Sequence, residues 1–277
     1  MPEKLKITIL VDNTADKPLV AEHGFAALVE KGGRRILFDT GQGTALEPNL
    51  DALGVEPESF DALVLSHGHY DHTGGIPSLL GRLKPDIAVF AHPEATSAKY
   101  ALDNGETRYI GAAAAVKCFL SNLGGFLVPT KSTTEIFPGV WATGEIPRKS
   151  RAEPPADRFK KDAEGKEIDT IPDDQALFAR SDSGTVLLLG CCHAGLENTL
   201  DFVADTTKSR KIHAVIGGTH LRSASEERLE NSIEALRRHD VAIFAPCHCS
   251  GNESSGYIEK RIPDAFKTCV AGTVFEF

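Results

Sequence analysis

The chain has 277 residues, of which 41 % are hydrophobic and 25 % charged, and its formal net charge is −9. These values are ordinary for a globular protein and exclude collagen-like and low-complexity chains. No apolar stretch reaches the roughly 18–20 residues that span a membrane, and residues 1–6 lack the apolar core of a signal peptide. We therefore expect a cytoplasmic protein with no membrane partner, and the absence of a basic stripe argues against a nucleic-acid partner.

The first half of the chain predicts a β-meander that passes into alternating strands and helices. Two apolar runs flank Gly32-Gly33, a strong turn signal, and therefore predict a β-hairpin. The other elements predicted here are strands over Leu5–Val11, Ala62–Leu65 and Asp86–Phe90, and helices over Ile76–Leu83 and around Ala112–Val116.

The second half contains a long polar segment and then a regular series of strands and helices. Residues 149–174 are charged, contain proline and show no apolar period, so we predict a surface excursion or lid within a single domain over 1–277. Further strands are predicted over Val140–Thr143, Gly184–Leu189, Ile212–Ile216 and Val241–Ala245. The last three strands are each followed by a histidine, namely His193, His220 and His248.

Two helices are predicted between these last strands. Leu196, Leu200 and Val203 mark the apolar face of the first, and Leu229, Ile233 and Leu236 mark that of the second. Ser223 followed by Glu226 resembles a capping box at the start of the second helix.

A cluster of metal-ligand side chains follows the buried strand Ala62–Leu65. His67, His69, Asp71 and His72 lie within six positions and precede a Gly-Gly turn. Alternate side chains of an extended chain share a face, so we expect His67, His69 and Asp71 to converge and His72 to reach a second metal. Neutral imidazoles and carboxylates suit zinc, with manganese or iron as alternatives.

Four of the six cysteines are adjacent to candidate ligands. Cys191 and Cys192 precede His193, and Cys247 and Cys249 flank His248. This spacing does not indicate a disulfide scaffold, so we interpret these residues as reduced thiols beside a metal site.

These motifs carry a resemblance to a known family. The run from His67 to His72 is similar to the His-x-His-x-Asp-His signature of the metallo-β-lactamase superfamily, Ile36–Gly41 to its strand ending in Asp-Thr-Gly, and Phe244–His248 to its late ligand strand. The resemblance implies an α/β (α+β) fold, a four-layer αββα sandwich with two metal ions at one edge. It also implies His248 and His193 as further ligands, and Asp39 as a residue that orients a ligand histidine.

The sequence departs from that family in two places. Members typically end one strand in Gly-Asp, whose carboxylate bridges the metals, whereas this chain has Gly190-Cys191 there. Cys191 or His193 is therefore the candidate replacement for the carboxylate. The usual Gly-His-Thr context of a third histidine is also absent, and Glu145, Asp173 and Asp174 are candidates by position.

Several short motifs resemble one branch of the superfamily, the 7,8-dihydropterin-6-ylmethyl-4-(β-D-ribofuranosyl)aminobenzene 5′-phosphate synthase-like proteins. They include Gly190–Gly195, Gly217–Leu221, Gly144–Arg148 and Pro246–Gly251. The resemblance implies a metal-dependent hydrolase or transferase that uses a metal-bound hydroxide on a phosphorylated or anionic small molecule, such as one of the pterin or ribofuranosylaminobenzene phosphate type. The alternatives are a phosphodiesterase, lactonase or thioesterase on the same scaffold, or a non-catalytic metal-binding protein.

Roles follow for individual residues in this hypothesis. Asp71 would position the nucleophile and bind the second of two divalent metals, and His220 would donate a proton to the leaving group or bind phosphate. Arg148 would clamp a phosphate or carboxylate of the substrate. We leave the remaining histidines, including His23, as structural or exposed.

Overall fold

The computed structural model describes residues 4–150 and 153–277, and its core consists of two mixed β-sheets. The first sheet has seven strands in the order β16-β1-β2-β3-β4-β5-β8. Its strands are β1 (Lys6–Val11), β2 (Ala26–Lys31), β3 (Arg34–Phe38), β4 (Ala62–Val64), β5 (Ala88–Ala91), β8 (Leu127–Pro129) and β16 (Val274–Glu276).

The second sheet has six strands in the order β15-β14-β13-β12-β10-β9. Its strands are β9 (Thr134–Phe137), β10 (Val140–Ala142), β12 (Ala176–Ser181), β13 (Gly184–Leu189), β14 (Ile212–Gly218) and β15 (Ile243–Cys247). A small third sheet joins β6 (Tyr100–Asp103) to β7 (Glu106–Tyr109) and to β11 (Phe159–Lys160).

The described residues form seven α-helices, most of which pack on the outer face of one of the large sheets. They are α1 (Leu46–Leu53), α2 (Tyr70–Thr73), α3 (Ile76–Leu79), α4 (Ala114–Asn122), α5 (Leu196–Thr207), α6 (Glu226–Arg238) and α7 (Asn252–Glu259). Short 3₁₀ turns lie at Pro57–Ser59, Pro93–Thr96, Gly124–Phe126 and His248–Ser250. Among the described residues, no helix combines the length and apolar character needed to cross a bilayer.

The strand alternation builds three separate hydrophobic layers. In β13, Leu188 faces the other sheet, whereas Leu187 and Leu189 pack against α5 and α6, because successive side chains of a strand point to opposite faces. The central layer lies between the two sheets, and a third layer lies between the seven-stranded sheet and helices α1, α3 and α4. The predicted four-layer αββα sandwich is confirmed.

The structure corrects three local predictions. The helix after the metal motif ends at Leu79 and not at Leu83. The N-cap of α6 is Ser225, whose hydroxyl accepts a hydrogen bond from the Arg228 N–H, so the predicted capping box at Ser223 was wrong. Strand β15 begins at Ile243, two residues later than predicted, because the Val241 N–H donates to the Leu236 carbonyl at the end of α6.

The polar excursion is more ordered than its composition indicates. Residues 151 and 152 of the predicted excursion lie outside the described residues. The rest includes β11, which pairs with β6, and seven buried side chains, namely Glu153, Phe159, Lys160, Asp169, Ile171, Asp173 and Asp174. A polar composition therefore hides a segment that packs against the body of the protein.

Candidate metal centre

The carboxyl ends of four strands, β4, β13, β14 and β15, lie at one edge of the sandwich. β13, β14 and β15 are parallel neighbours, so the residues that follow them lie side by side. β4 in the other sheet ends at Val64, and the chain then runs through Leu65 and Ser66 into the histidine motif. Ligands commonly collect outside the carboxyl ends of strands in such sheets.

The first group of ligand atoms consists of three buried histidines. Ligand atoms of His67, His69 and His193 all lie within 4.8 Å of one another. Nε2 of His67 is 2.9 Å from Nδ1 of His69 and 3.3 Å from Nε2 of His193. His193 thus completes a cluster of three imidazoles with His67 and His69.

The second group contains Asp71, His72, His248 and Cys191. Oδ2 of Asp71 is 3.5 Å from Nε2 of His248, and Nε2 of His72 is 3.2 Å from Sγ of Cys191. His23 extends the group, with Nε2 3.2 Å from Asp71 Oδ2. The expectation that Asp71 shares a point with His67 and His69 was wrong, because the chain leaves the extended conformation and helix α2 begins at Tyr70.

The two groups suit cations. One nitrogen of His67 is approached by nitrogens of two other rings, and a neutral ring has one N–H to share, so a cation relieves the repulsion between the remaining lone pairs. Nε2 of His248 is buried and has no hydrogen-bond partner among the described residues. Imidazole, carboxylate and thiol groups together are the donors that zinc takes in proteins.

The protonation states of five of the six candidate ligands fit metal binding, and His72 would have to lose a proton to bind a cation. Burial lowers the pKa values of His67, His69, His193 and His248 well below the usual range, so these rings are neutral donors. Burial would raise the pKa of Asp71, but the facing imidazoles, chiefly that of His72, hold it well below its usual range. Asp71 is therefore ionised at neutral pH.

A buried polar pair, Asp39 and Ser66, orients His67 and His72. Oδ2 of Asp39 lies 2.7 Å from Nδ1 of His72, and Asp39 also accepts hydrogen bonds from the N–H and hydroxyl of Ser66. The Ser66 hydroxyl lies 2.8 Å from Nδ1 of His67. Gly190 permits this arrangement, because a Cβ there would clash with the Ser66 hydroxyl. Partners that hold the outer ring nitrogen fix the tautomer of a metal-binding histidine.

Four of the described non-glycine residues with positive φ lie at or beside the centre. Asp39, Cys192, His220 and His248 have φ values of 59°, 58°, 50° and 52°. Residues other than glycine rarely adopt this left-handed region and do so mostly where a site requires it. In His248 the strained backbone is held by Asp12, whose Oδ1 accepts the His248 N–H at 2.7 Å.

The acidic residues considered as further ligands lie outside both groups. Glu145 is exposed. Asp173 accepts the Gly68 N–H at 2.7 Å and pairs with Lys99 at 2.6 Å, and Asp174 accepts the Ala194 N–H at 2.9 Å. These carboxylates therefore fasten the loops that carry the ligands.

The excursion covers the first group of ligands. The ring of Phe159 lies 5.5 Å, 5.0 Å and 5.6 Å from those of His69, His193 and His220. Arg148 lies at the base of this segment, where its guanidinium donates to the carbonyls of Thr170 at 3.0 Å and Glu153 at 3.5 Å.

A cavity of 370 Å³ opens over both groups. Its lining includes His220 and four arginines, namely Arg108, Arg158, Arg222 and Arg228. Of the described residues that line it, Asp71 alone is acidic, and Arg148 is not among them. A chain of net charge −9 thus presents a positively charged pocket above its ligand clusters.

Comparison with known protein families identifies the family to which this chain belongs. The family model for the metallo-beta-lactamase superfamily matches residues 20–248. The chain belongs to the metallo-β-lactamase superfamily. The match includes both ligand groups, from His23 to His248.

Three relatives place the chain within the superfamily. The 7,8-dihydropterin-6-methyl-4-(beta-D-ribofuranosyl)-aminobenzene-5′-phosphate synthase of Methanocaldococcus jannaschii is 29% identical over 99% of this chain and 97% of its own length. The uncharacterized protein MJ0448 of the same organism is 36% identical over 88% of this chain and 90% of its own. The crystal structure of Tm1679, described as a metal-dependent hydrolase of the β-lactamase superfamily, is 28% identical with a TM-score of 0.80, and the alignment covers 99% of each chain. The chain is therefore an enzyme of the metallohydrolase type.

Two features of the site were not predicted from the sequence, namely the position of His23 and the cluster of pocket arginines. His23 was left outside the site, although a run of Glu22, His23 and Gly24 so close to a strand was a possible signal. The four pocket arginines come from separate segments, and no local pattern connects them. Only the folded chain brings such isolated residues together.

Proposed function

We propose that this enzyme is a metal-dependent hydrolase or transferase that acts on a phosphorylated or otherwise anionic small molecule at a centre of two divalent ions, with zinc as the expected metal. The observation that carries the proposal is the position of the two ligand groups, side by side at the floor of an arginine-lined cavity. His67, His69 and His193 would hold one ion, and Asp71, His72 and His248 would hold the other.

Divalent ions in such a centre supply Lewis acidity and lower the pKa of water from about 16 to about 7. Asp71 would contribute a second function beside metal binding. Its ionised carboxylate accepts hydrogen bonds and would orient a water molecule toward the substrate. His23, which lies 3.2 Å from the same carboxylate oxygen, would restrict the orientation of Asp71.

His220 lines the same cavity and would contact the substrate there. Burial, together with the charges of Arg228 and Arg158, lowers the pKa of His220 to about 4. The ring is therefore neutral at neutral pH and would donate one N–H hydrogen bond to an anionic oxygen of the substrate or leaving group. Its ring centroid lies 4.5 Å from that of His193, which places it beside the first group.

The arginines account for the preference for anions. Nε of Arg228 is buried without a hydrogen-bond partner among the described residues, so a substrate oxygen would satisfy it. Arg158 is held by Asp103 at 2.9 Å and stacks on Phe159. Guanidinium groups bind phosphate oxygens through paired hydrogen bonds, which suits a phosphorylated substrate.

The excursion would form the roof of this pocket within a single domain. Phe159 would exclude water above the first group, and Asp173 fixes the segment both to Lys99 beside β6 and to the Gly68 N–H of the ligand loop. We propose that the roof encloses a small molecule and keeps out a macromolecular chain.

The substrate class follows from one relative and the pocket chemistry. The synthase of M. jannaschii, similar over nearly the whole chain, is named for a pterin joined to a ribofuranosylaminobenzene phosphate. A substrate of that type would present a phosphate to the arginines and an aromatic ring to Tyr70 or Phe159, which line the same cavity.

Assays with apo and zinc-loaded protein would test the proposal. The panel contains a phosphomonoester, a phosphodiester, a lactone, a thioester and a diphosphate ester. The diphosphate ester is tested alone and as donor to the aminobenzene ribofuranosyl phosphate, with diphosphate as the leaving group. We expect turnover of a phosphate compound only with metal present, and a loss of about 10²-fold or more in Asp71→Asn. Asp61→Asn, which removes a carboxylate bonded to Arg35 and Lys84 away from the site, is the matched control. Turnover of the lactone or thioester alone would instead assign the alternative activity, and full activity in Asp71→Asn would contradict the mechanism.

A further inference from the structure

Two thiols face the second group of ligands. Cys191 follows β13 and Cys249 follows β15, the strands on either side of β14, so the sheet brings them together. Their Sγ atoms and a ring nitrogen of His248 lie within 4.8 Å of one another. The Cys191 thiol is also 3.2 Å from Nε2 of His72. The sulfur atoms therefore border the same space as two imidazoles that we assign to the second ion.

The surroundings of Cys249 suit a negatively charged sulfur. Its Sγ accepts a hydrogen bond from the backbone N–H of His220 at 3.2 Å. Hydrogen bonds from N–H groups stabilise a thiolate as they stabilise other anions. Gly218 leaves room for this sulfur, because a Cβ there would come within 2.7 Å of it.

The neighbouring cysteines differ from these two. Cys192 is as buried as Cys191, but its Sγ contacts the Thr199 hydroxyl at 3.4 Å and packs with the residues under α5. Cys247 packs in the core between the two sheets, together with Cys269. Neither Cys192 nor Cys247 belongs to a group of candidate ligands among the described residues. The direction of the side chain, and not the presence of cysteine alone, sets Cys191 and Cys249 apart.

We propose that Cys191 and Cys249 are both thiolate ligands of the second ion, in addition to the Asp71, His72 and His248 side chains already assigned to it. This inference rests on the proposed function. Sulfur ligands favour zinc, iron and cobalt, whereas sites of carboxylate and water favour magnesium and manganese. The second position therefore selects a borderline-soft ion, and the thiolates supply the negative charge that an aspartate would otherwise provide at Cys191.

X-ray absorption at the zinc edge tests this inference directly, because it counts sulfur neighbours without any assay of activity. Zinc–sulfur distances are about 2.3 Å, and zinc–nitrogen or zinc–oxygen distances are about 2.0–2.2 Å, so the shells are separable. For fully loaded protein we expect a sulfur shell of about one sulfur per zinc, averaged over two ions. Cys191→Ser and Cys249→Ser should each reduce the amplitude of that shell by about half, and Cys192→Ser should leave it unchanged.

The outcomes separate this inference from the proposed function. Zinc bound by nitrogen and oxygen alone would overturn the thiolate assignment and leave the hydrolase proposal standing. A sulfur shell that is unaffected in Cys249→Ser would remove that residue from the site. Protein that retains no zinc at saturating concentration would contradict the proposed function itself. If Cys191→Ser does not fold, the spectra of the unsubstituted protein and of Cys249→Ser still decide the question.

Discussion

Oδ2 of Asp39 lies 2.7 Å from Nδ1 of His72, at the point where β3 gives way to the Asp-Thr-Gly turn. The carboxylate is fully buried and also receives the N–H and hydroxyl of Ser66. Burial lowers the pKa of His72, but Asp39 and Asp71 outweigh that effect and raise the pKa to about 9. Asp39 thus fixes the ring so that its other nitrogen faces the second ligand group.

Asp39→Asn should weaken metal binding with the fold retained. The amide keeps the shape of the side chain but loses the charge that orients and polarises His72, so we expect a loss of about 10–100-fold in metal affinity. Competition with a chromophoric chelator would measure it. The same titration of Asp61→Asn, whose carboxylate is remote from the ligands, should match the unsubstituted protein.

Arg228→Gln should weaken anion binding without altering metal content. Hydrogen bonds to charged groups contribute about 1.5–3 kcal/mol, so we expect the inhibition constant of inorganic phosphate to rise about 10–100-fold. Arg237→Gln is the control, because Arg237 lies on the same helix and donates to the Arg261 carbonyl. Equal effects of the two substitutions would mean that general charge, and not the pocket, governs binding.

Lys99→Met should destabilise the protein by about 3–5 kcal/mol, because it leaves buried carboxylates without their ammonium partner. Nζ of Lys99 lies 2.6 Å from Asp173 and 3.5 Å from Asp169. Urea unfolding would measure the change. Lys161→Met is the control, since Lys161 and its partner Glu167 are both exposed and such pairs contribute about 1 kcal/mol or less.

The same ion pair predicts a pH dependence. Burial opposes the charge on Lys99, but the two carboxylates outweigh it and raise its pKa above 10.5. Burial also raises the pKa of Asp173. The cost of desolvating this carboxylate therefore exceeds its attraction to the Lys99 ammonium, which it shares with Asp169. Of the two residues in the ion pair, Lys99 is the one whose charged form is stabilised by folding, because it has two carboxylate partners. Its contribution is fully present below pH 10.5 and should be lost as the pH rises through the raised value, so the difference between Lys99→Met and the unsubstituted protein should shrink there.

Gly190→Ala should disturb the metal centre through packing alone. A methyl group would clash with the Ser66 hydroxyl and press on Asp39, at a cost of about 1–3 kcal/mol in stability and with weaker metal binding. Gly256→Ala is the matched control. Gly256 lies inside α7 with open space around it, so alanine should stabilise the helix by about 0.5–1 kcal/mol. Thermal unfolding of both variants with and without zinc would separate the effects.

Sequence reasoning reached the fold because the decisive signals are local. Strand periodicity, the Gly-Gly hairpin and the dense histidine motif each act within about ten residues. It misplaced Asp71 because the start of a four-residue helix at Tyr70 changes the direction of one side chain, and no periodicity marks so short a helix. It could not decide whether Cys191 or His193 replaces the carboxylate that usually bridges the metals. That decision depends on the direction of each side chain in the loop after β13.

The arginine-lined pocket could not be predicted from the sequence for a different reason. Arg108 and Arg158 belong to the small third sheet and its flanking loop, whereas Arg228 lies on α6. Lys99 and Asp173 are far apart along the chain, and their pairing is set by how β11 docks on β6. Residues brought together by tertiary packing alone leave no pattern in the sequence.

Elemental analysis of purified protein and of His193→Ala tests the central claim most directly. Each of the two ligand groups would hold one ion, as in other two-metal sites. We therefore predict about two zinc ions per chain after dialysis of the loaded protein. His193 borders His67 at 3.3 Å, and its loss should lower the content toward one ion while circular dichroism stays unchanged. A single ion in the unsubstituted protein, or a content that His193→Ala does not change, would contradict the account.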